Sequence, residues 1–184
     1  MRSTLIYILF ISISLSCNSR SGNRKASPKG EESQTGKVIG IIDGDTYDIL
    51  IEGNSTIRVR MEGIDAPEKG MPYYKVAKKH LSELCFGKQV ILKNTSKDNH
   101  DRTLAFSYLE DGKELSHEMI KAGLAWHFKK YNSDSDLAEL EMEAKNSKIG
   151  IWTDDNPMPP WENRELHRSG VSTKDSFDIQ ENQR

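Results

Sequence analysis

The residues best suited to chemistry in this chain are four carboxylates and two arginines. Asp43-Gly44-Asp45-Thr46 and Asp65-Ala66-Pro67-Glu68 are short acidic loops on either side of a segment that carries Arg60, and Arg102 comes from a more distant loop. Neither acidic loop contains His or Cys, so an ion held there would be bound through oxygen, which suits calcium or magnesium rather than zinc. Asp-Gly and Asp-Ala-Pro are also ordinary turn sequences, and each arginine alone fits a solvated charge or an ion-pair partner. Taken together, two guanidiniums able to grip phosphate bidentately, a cation and a spare carboxylate outline a phosphodiester site.

Such groups meet only if compact elements carry them. Residues 37–42 and 46–51 are rich in β-branched side chains, and in 55–61 Ile57, Val59 and Met61 alternate with Arg58 and Arg60, which predicts three strands, the third with one cationic face. Tyr73, Val76, Ala77, Leu81 and Leu84 recur at helical spacing over 73–85, and two more strands are expected at 89–94 and 103–109. Ser116 is expected to cap a short helix that ends at Gly123, and a further helix is expected over 134–147. Five short strands with interspersed helix predict an α+β fold, an OB-type five-stranded barrel with about three packed helices.

The flanks read differently. Met1 and Arg2 precede an apolar run over 5–15 that is too short to span a bilayer, and the run ends in Leu15-Ser16-Cys17. Residues 1–16 are expected to be a lipoprotein-type signal, with Cys17 lipidated and the protein exported and anchored to a membrane through that lipid. A plain secretory signal or an uncleaved anchor fits the same residues. Residues 17–36 are expected to be a polar spacer, 37–168 the domain, and 169–184 a loose tail. Once Cys17 is lipidated, Cys85 has no partner for a disulfide and reads as a small buried hydrophobe.

A formal net charge of −2 argues against a stoichiometric nucleic-acid coat protein, while leaving room for an enzyme with a few cations in one cleft. Trp126, Phe128 and Tyr131 interleave with His127, Lys129 and Lys130, a pattern able to stack bases and hold phosphates, although Trp126 equally fits a core. The segment Pro157-Met158-Pro159-Pro160-Trp161 reads as a rigid extension on the barrel with no chemistry of its own.

The segments IIDGDTYDI (41–49), IRVRMEGIDAPE (57–68), DNHDRTLAFSYLEDGKELSHEMIKAGLA (98–125) and GIW (150–152) together resemble the staphylococcal nuclease family. The resemblance runs in family order from about Val38 to Trp152. It implies a calcium-dependent endonuclease acting on DNA or RNA, breaking the 5′ phosphorus–oxygen bond to leave a 3′-phosphate. It implies Asp45 and Asp65 as carboxylate ligands of calcium, the Ala66 carbonyl as a further ligand, and Asp43 and Thr46 around them. Glu68 falls at the general base, and Arg60 and Arg102 at the phosphate-binding arginines. His100, Phe128 and Tyr131 are candidate nucleotide contacts. The chain departs from the family with Ala66 where Thr is common, Asp101 where Gly is usual before the arginine, and His100 where Tyr is common. No protein partner is implied and a monomer is expected. A barrel that binds nucleic acid without cutting it, or an envelope adaptor for a protein or glycan, is the alternative.

Overall fold

The computed structural model describes residues 33–173 together with Phe177. The expected export signal and Cys17 lie outside the described residues. Five strands, β1 (Gln34–Ile41), β2 (Thr46–Leu50), β3 (Thr56–Met61), β5 (Gln89–Lys97) and β6 (Thr103–Leu109), close into a barrel in the order β1-β2-β3-β6-β5. All neighbours are antiparallel except β3 and β6, which run parallel with Arg60 opposite Leu104. The barrel removes sheet edges, the hazard of any open antiparallel sheet. β1 starts at Gln34, inside the stretch expected to be spacer, because Gln34, Thr35 and Gly36 pair with Leu92, Ile91 and Val90 of β5 to close the barrel.

Period-two alternation makes the core. Val59 and Met61 are buried inside while Arg58 pairs with Asp48 at 2.9 Å across the β2–β3 ladder on the outside. Tyr47 is buried in the barrel and its hydroxyl donates to Ser107 at 2.6 Å, which satisfies a polar group that burial would otherwise leave costly. α1 (Tyr74–Cys85) covers the barrel through Ala77, Leu81 and Cys85. The Cys85 thiol donates to the Leu81 carbonyl at 3.1 Å and burial pushes its pKa up to about 12, so it is an inert core group, as expected.

α2 (Leu115–Lys121) is capped by Glu114, whose carboxylate accepts from the Ser116 amide at 3.3 Å. Ser116 is therefore not the cap that was expected. It is fully buried, and its hydroxyl donates to the Glu62 carbonyl at 3.0 Å, tying the helix to the barrel. α3 (Ser135–Asn146) is capped by Asp134, which accepts from the amides of Asp136 and Leu137.

Two features exceed the sequence expectation. A two-residue ladder joins β4 (Ile64–Asp65) to β7 (Trp126–His127), and a fourth helix, α4 (Pro160–Arg168), follows α3. Pro160 at the first helical position, Glu162 in the first turn and His167 and Arg168 in the last favour α4 locally. The chain after it is not a loose polar tail throughout: Thr173 is buried, bonded through its hydroxyl to Asn163 and to His167, and Phe177 is buried as well. No helix of the described residues is long and apolar enough to cross a membrane.

Candidate active site

The β1–β2 turn and the loop after β4 are laced together at the barrel's end. The Asp43 carboxylate accepts from the Asp45 amide at 3.1 Å, Thr46 donates its hydroxyl to Asp45 at 2.9 Å, and the other Asp45 oxygen accepts from the Ala66 amide at 2.6 Å. Met61 donates its amide to the Asp45 carbonyl at 2.9 Å, fixing the turn against β3. Gly44 is required by this packing, since a Cβ there would stand 2.8 Å from both the Ala66 and Ala77 Cβ atoms.

Asp45 and Asp65 are 5% and 3% exposed, and Arg60, reaching over from β3, bridges them. Its guanidinium lies 3.2 Å from Asp45 and 3.0 Å from Asp65. The β4–β7 ladder sets Asp65 beside Trp126, and the Phe128 amide donates to the Gly63 carbonyl at 2.8 Å, so the aromatic segment runs along the same cleft. Arg102 enters from the β5–β6 turn. Asp98 organises that turn by accepting from the amides of His100 and Arg102 and from Arg102 Nε at 2.7 Å. Asp101 adopts φ +60°, the left-handed conformation that Gly takes most easily.

One cleft is lined by Asp43, Asp45, Arg60, Asp65, Ala66, Glu68, His100, Arg102, Phe128 and Tyr131, while Thr46 is buried behind it on Asp45. His127 and Trp126 also border the cleft but are packed residues: His127 is buried and bonded through Nε2 to Asn132 at 3.1 Å, and Trp126 stands edge-on to Trp152. Phe128 stacks on Trp161 with ring centroids 5.2 Å apart and planes 8° from parallel, and Tyr131 is 69% exposed against the Phe128 edge.

Sequence reasoning missed Arg164 and Trp161, both on α4. Arg164 pairs with Asp65 at 2.6 Å through Nη2 and with Glu68 at 2.6 Å through Nη1. The helix start at Pro160 was legible as a local signal, but nothing local ties Arg164 to carboxylates almost a hundred residues earlier.

Asp43, Asp45, Asp65 and Glu68 all line the cleft, where Arg60 pairs with Asp45 and Asp65 and Arg164 pairs with Asp65 and Glu68. Burial, with Asp45 adding repulsion, pushes the Asp43 carboxyl up to about 7, and burial raises that of Asp65 although Arg164 and Arg60 oppose it. Both shifts are led by burial, which penalises the charged form of each carboxyl. Among the described residues no group of three or more His, Cys, Asp or Glu side chains is clustered to hold an ion. A cation here would take the two buried carboxylates, with backbone carbonyl and water completing the six to eight oxygens that calcium prefers. The all-oxygen donor set fits a hard divalent ion.

A barrel with such a cleft defines a class: small enzymes that bring arginines and carboxylates to bear on a phosphate. Residues 58–154 match the family model described as staphylococcal nuclease homologue. The chain is 40% identical over 136 residues to a protein of Haemophilus influenzae named an uncharacterized endonuclease, covering 73% of this chain and 76% of that one. It is 36% identical to an identically named protein of Escherichia coli O157:H7, covering 68% and 82%. It is 33% identical to a micrococcal nuclease of Shigella flexneri, covering 74% and 84%. The chain belongs to the staphylococcal nuclease family and, as a member of it, is a phosphodiester hydrolase.

Proposed function

We propose that the protein is a calcium-dependent endonuclease that cuts DNA or RNA to 3′-phosphate products, with Asp45, Asp65 and the Ala66 carbonyl as the cation site and Arg60, Glu68 and Arg102 as the catalytic side chains. The observation that carries the reading is the convergence on one cleft of two buried carboxylates, a bridging arginine, a half-exposed carboxylate and a second arginine from a separate turn. The chemistry that calcium supplies when bound is polarisation of a phosphate oxygen.

Glu68 accepts a proton from the attacking water or orients that water toward phosphorus, a role that suits a carboxylate open to solvent at the rim. Arg60 and Arg102 donate to the phosphate oxygens, and their fixed charges stabilise the extra negative charge of the five-coordinate transition state. Asp98 holds Arg102 by Nε, which keeps its turn ordered before substrate arrives. Tyr131, 69% exposed, and the Phe128–Trp161 stack beside it offer aromatic surface to the bases, which favours single strands and tolerates any sequence. His100 is exposed on the Arg102 turn and borders the same cleft. Export and a lipid on Cys17 belong to the same proposal. The support is the apolar run at 5–15 ending in Leu15-Ser16-Cys17, and a Cys17→Ser variant should lose incorporation of labelled fatty acid in cells.

The test is cleavage of single-stranded DNA and RNA by the purified chain with calcium or with chelator. Calcium-dependent cleavage that Glu68→Gln lowers by about 10²-fold or more, while nucleotide binding persists, is the expected result. A folded chain that binds single strands but cleaves neither would favour a binding module.

A further inference from the structure

We propose that Arg164 is an internal counter-cation of the site: its guanidinium holds Asp65 and Glu68 together, a divalent ion binds by displacing it, and Arg164 thereby sets the ion concentration at which the site loads. The inference rests on the calcium reading and adds to it a residue from outside the matched segment, which ends at residue 154.

The position of this guanidinium is built by the fold. α4 is docked independently of the ion pairs: Trp161 stacks on Phe128, Pro160 is buried, and buried Asn163 is bonded to the Thr173 hydroxyl. On this anchored helix Arg164 projects into the cleft and spans two carboxylates at once, 2.6 Å from Asp65 and 2.6 Å from Glu68. Asp65 is thereby covered on both oxygens, with Oδ1 accepting from Arg60 at 3.0 Å and Oδ2 from Arg164. An ion that takes Asp65 as a ligand therefore meets a guanidinium already seated on that carboxylate.

A doubly charged ion and a guanidinium a few ångströms apart repel strongly even at an effective dielectric near that of a protein surface. Of the two arginines, Arg60 is the more enclosed, with a side chain 12% exposed against 38% for Arg164. Arg164 is the one with solvent to move into. The bidentate grip also explains why a lysine would be a poor substitute, since a point charge on a flexible stem does not bridge two carboxylates in a fixed plane.

The deciding measurement is calorimetric titration of calcium alone into the wild-type chain, Arg164→Gln and Arg164→Lys, each first shown to melt cooperatively. Removing the competing charge should tighten calcium binding by about tenfold or more in Arg164→Gln, with Arg164→Lys between it and the wild type. Detectable binding in Arg164→Gln where the wild type shows none gives the same support. Equal or weaker binding in Arg164→Gln overturns the proposal while leaving the calcium site intact. If Arg164→Gln does not fold, the Lys variant decides: tighter binding supports the proposal, and equal or weaker binding overturns it. Calcium binding in none of the three chains overturns both this inference and the calcium reading beneath it.

Discussion

Asp101 is one residue at which the chain departs from the staphylococcal nuclease pattern, and the turn that carries Arg102 still forms around it. Its left-handed φ of +60° is the conformation a Gly would take at no cost, and Asp tolerates it better than most side chains. Its carboxylate lies 3.3 Å from Lys97 in an exposed pair, so its charge is largely answered by solvent and a neighbour. Asp101→Gly should therefore change stability by no more than about 1 kcal/mol in urea unfolding. The same variant should raise phosphate affinity at Arg102 by no more than a few-fold, since an exposed charge is screened. Ala66 is the second departure, and it should cost the site little. Its amide is the group that Asp45 grips, and its expected contribution is a main-chain carbonyl that any side chain would supply.

Among the elements, α3 holds the aromatic segment in register through one buried acid. Glu141 is 3% exposed, and it accepts from the His127 amide at 3.0 Å, from Lys129 at 2.7 Å and from Lys145 at 3.1 Å. Burial opposes its ionisation, but Lys129, Lys145 and the amide outweigh burial and hold its carboxyl below the usual range. Glu141→Gln should destabilise the fold by about 1.5–3 kcal/mol in denaturant unfolding at neutral pH, the worth of hydrogen bonds to a charged group. Because the folded value is depressed, this stabilisation is complete above the unfolded carboxylate value and lost as pH falls through the folded one. The wild-type advantage over Glu141→Gln should therefore shrink in acid, and an advantage that grew on acidification would contradict the assignment. The variant should also loosen the segment after β7 that presents Phe128 and Tyr131, weakening single-strand binding before it affects calcium.

Across the whole molecule, the close approach of the α2 and α3 exits seals the body on which the cleft is built. Gly123 and Gly150 both have positive φ, and the Ile151 amide donates to the Gly123 carbonyl at 2.8 Å. A Cβ on Gly150 would stand 2.1 Å from the Gly123 carbonyl oxygen, so backbone would have to yield. Gly150→Ala should cost at least about 2 kcal/mol, read as a fall in the unfolding midpoint, because strain from a left-handed φ adds to the clash. Such a variant should lose cleavage only in proportion to the folded fraction, in contrast to Glu68→Gln, which should fold and fail to cut.

Much of this protein was determined locally and could be read from the chain. Alternation in 57–61 sets Val59 and Met61 inward and Arg60 outward, turn chemistry sets the two acidic loops, and helical spacing over 73–85 gives α1, because each depends on backbone periods of two or 3.6 residues. The order of DGDT, Arg60, the Asp65–Glu68 loop and Arg102 was enough to reveal the family. What the chain could not disclose depended on groups far apart meeting in space. Gln34 to Gly36 look like spacer until β5 lies beside them, and Ser116 looks like a cap until the Glu62 carbonyl takes its hydroxyl. Arg164 looks like one more polar helix residue until α4 docks on Phe128 and swings it onto Asp65 and Glu68. Ion pairing at 2.6 Å has no sequence period, so only the tertiary structure decided which arginines share the site.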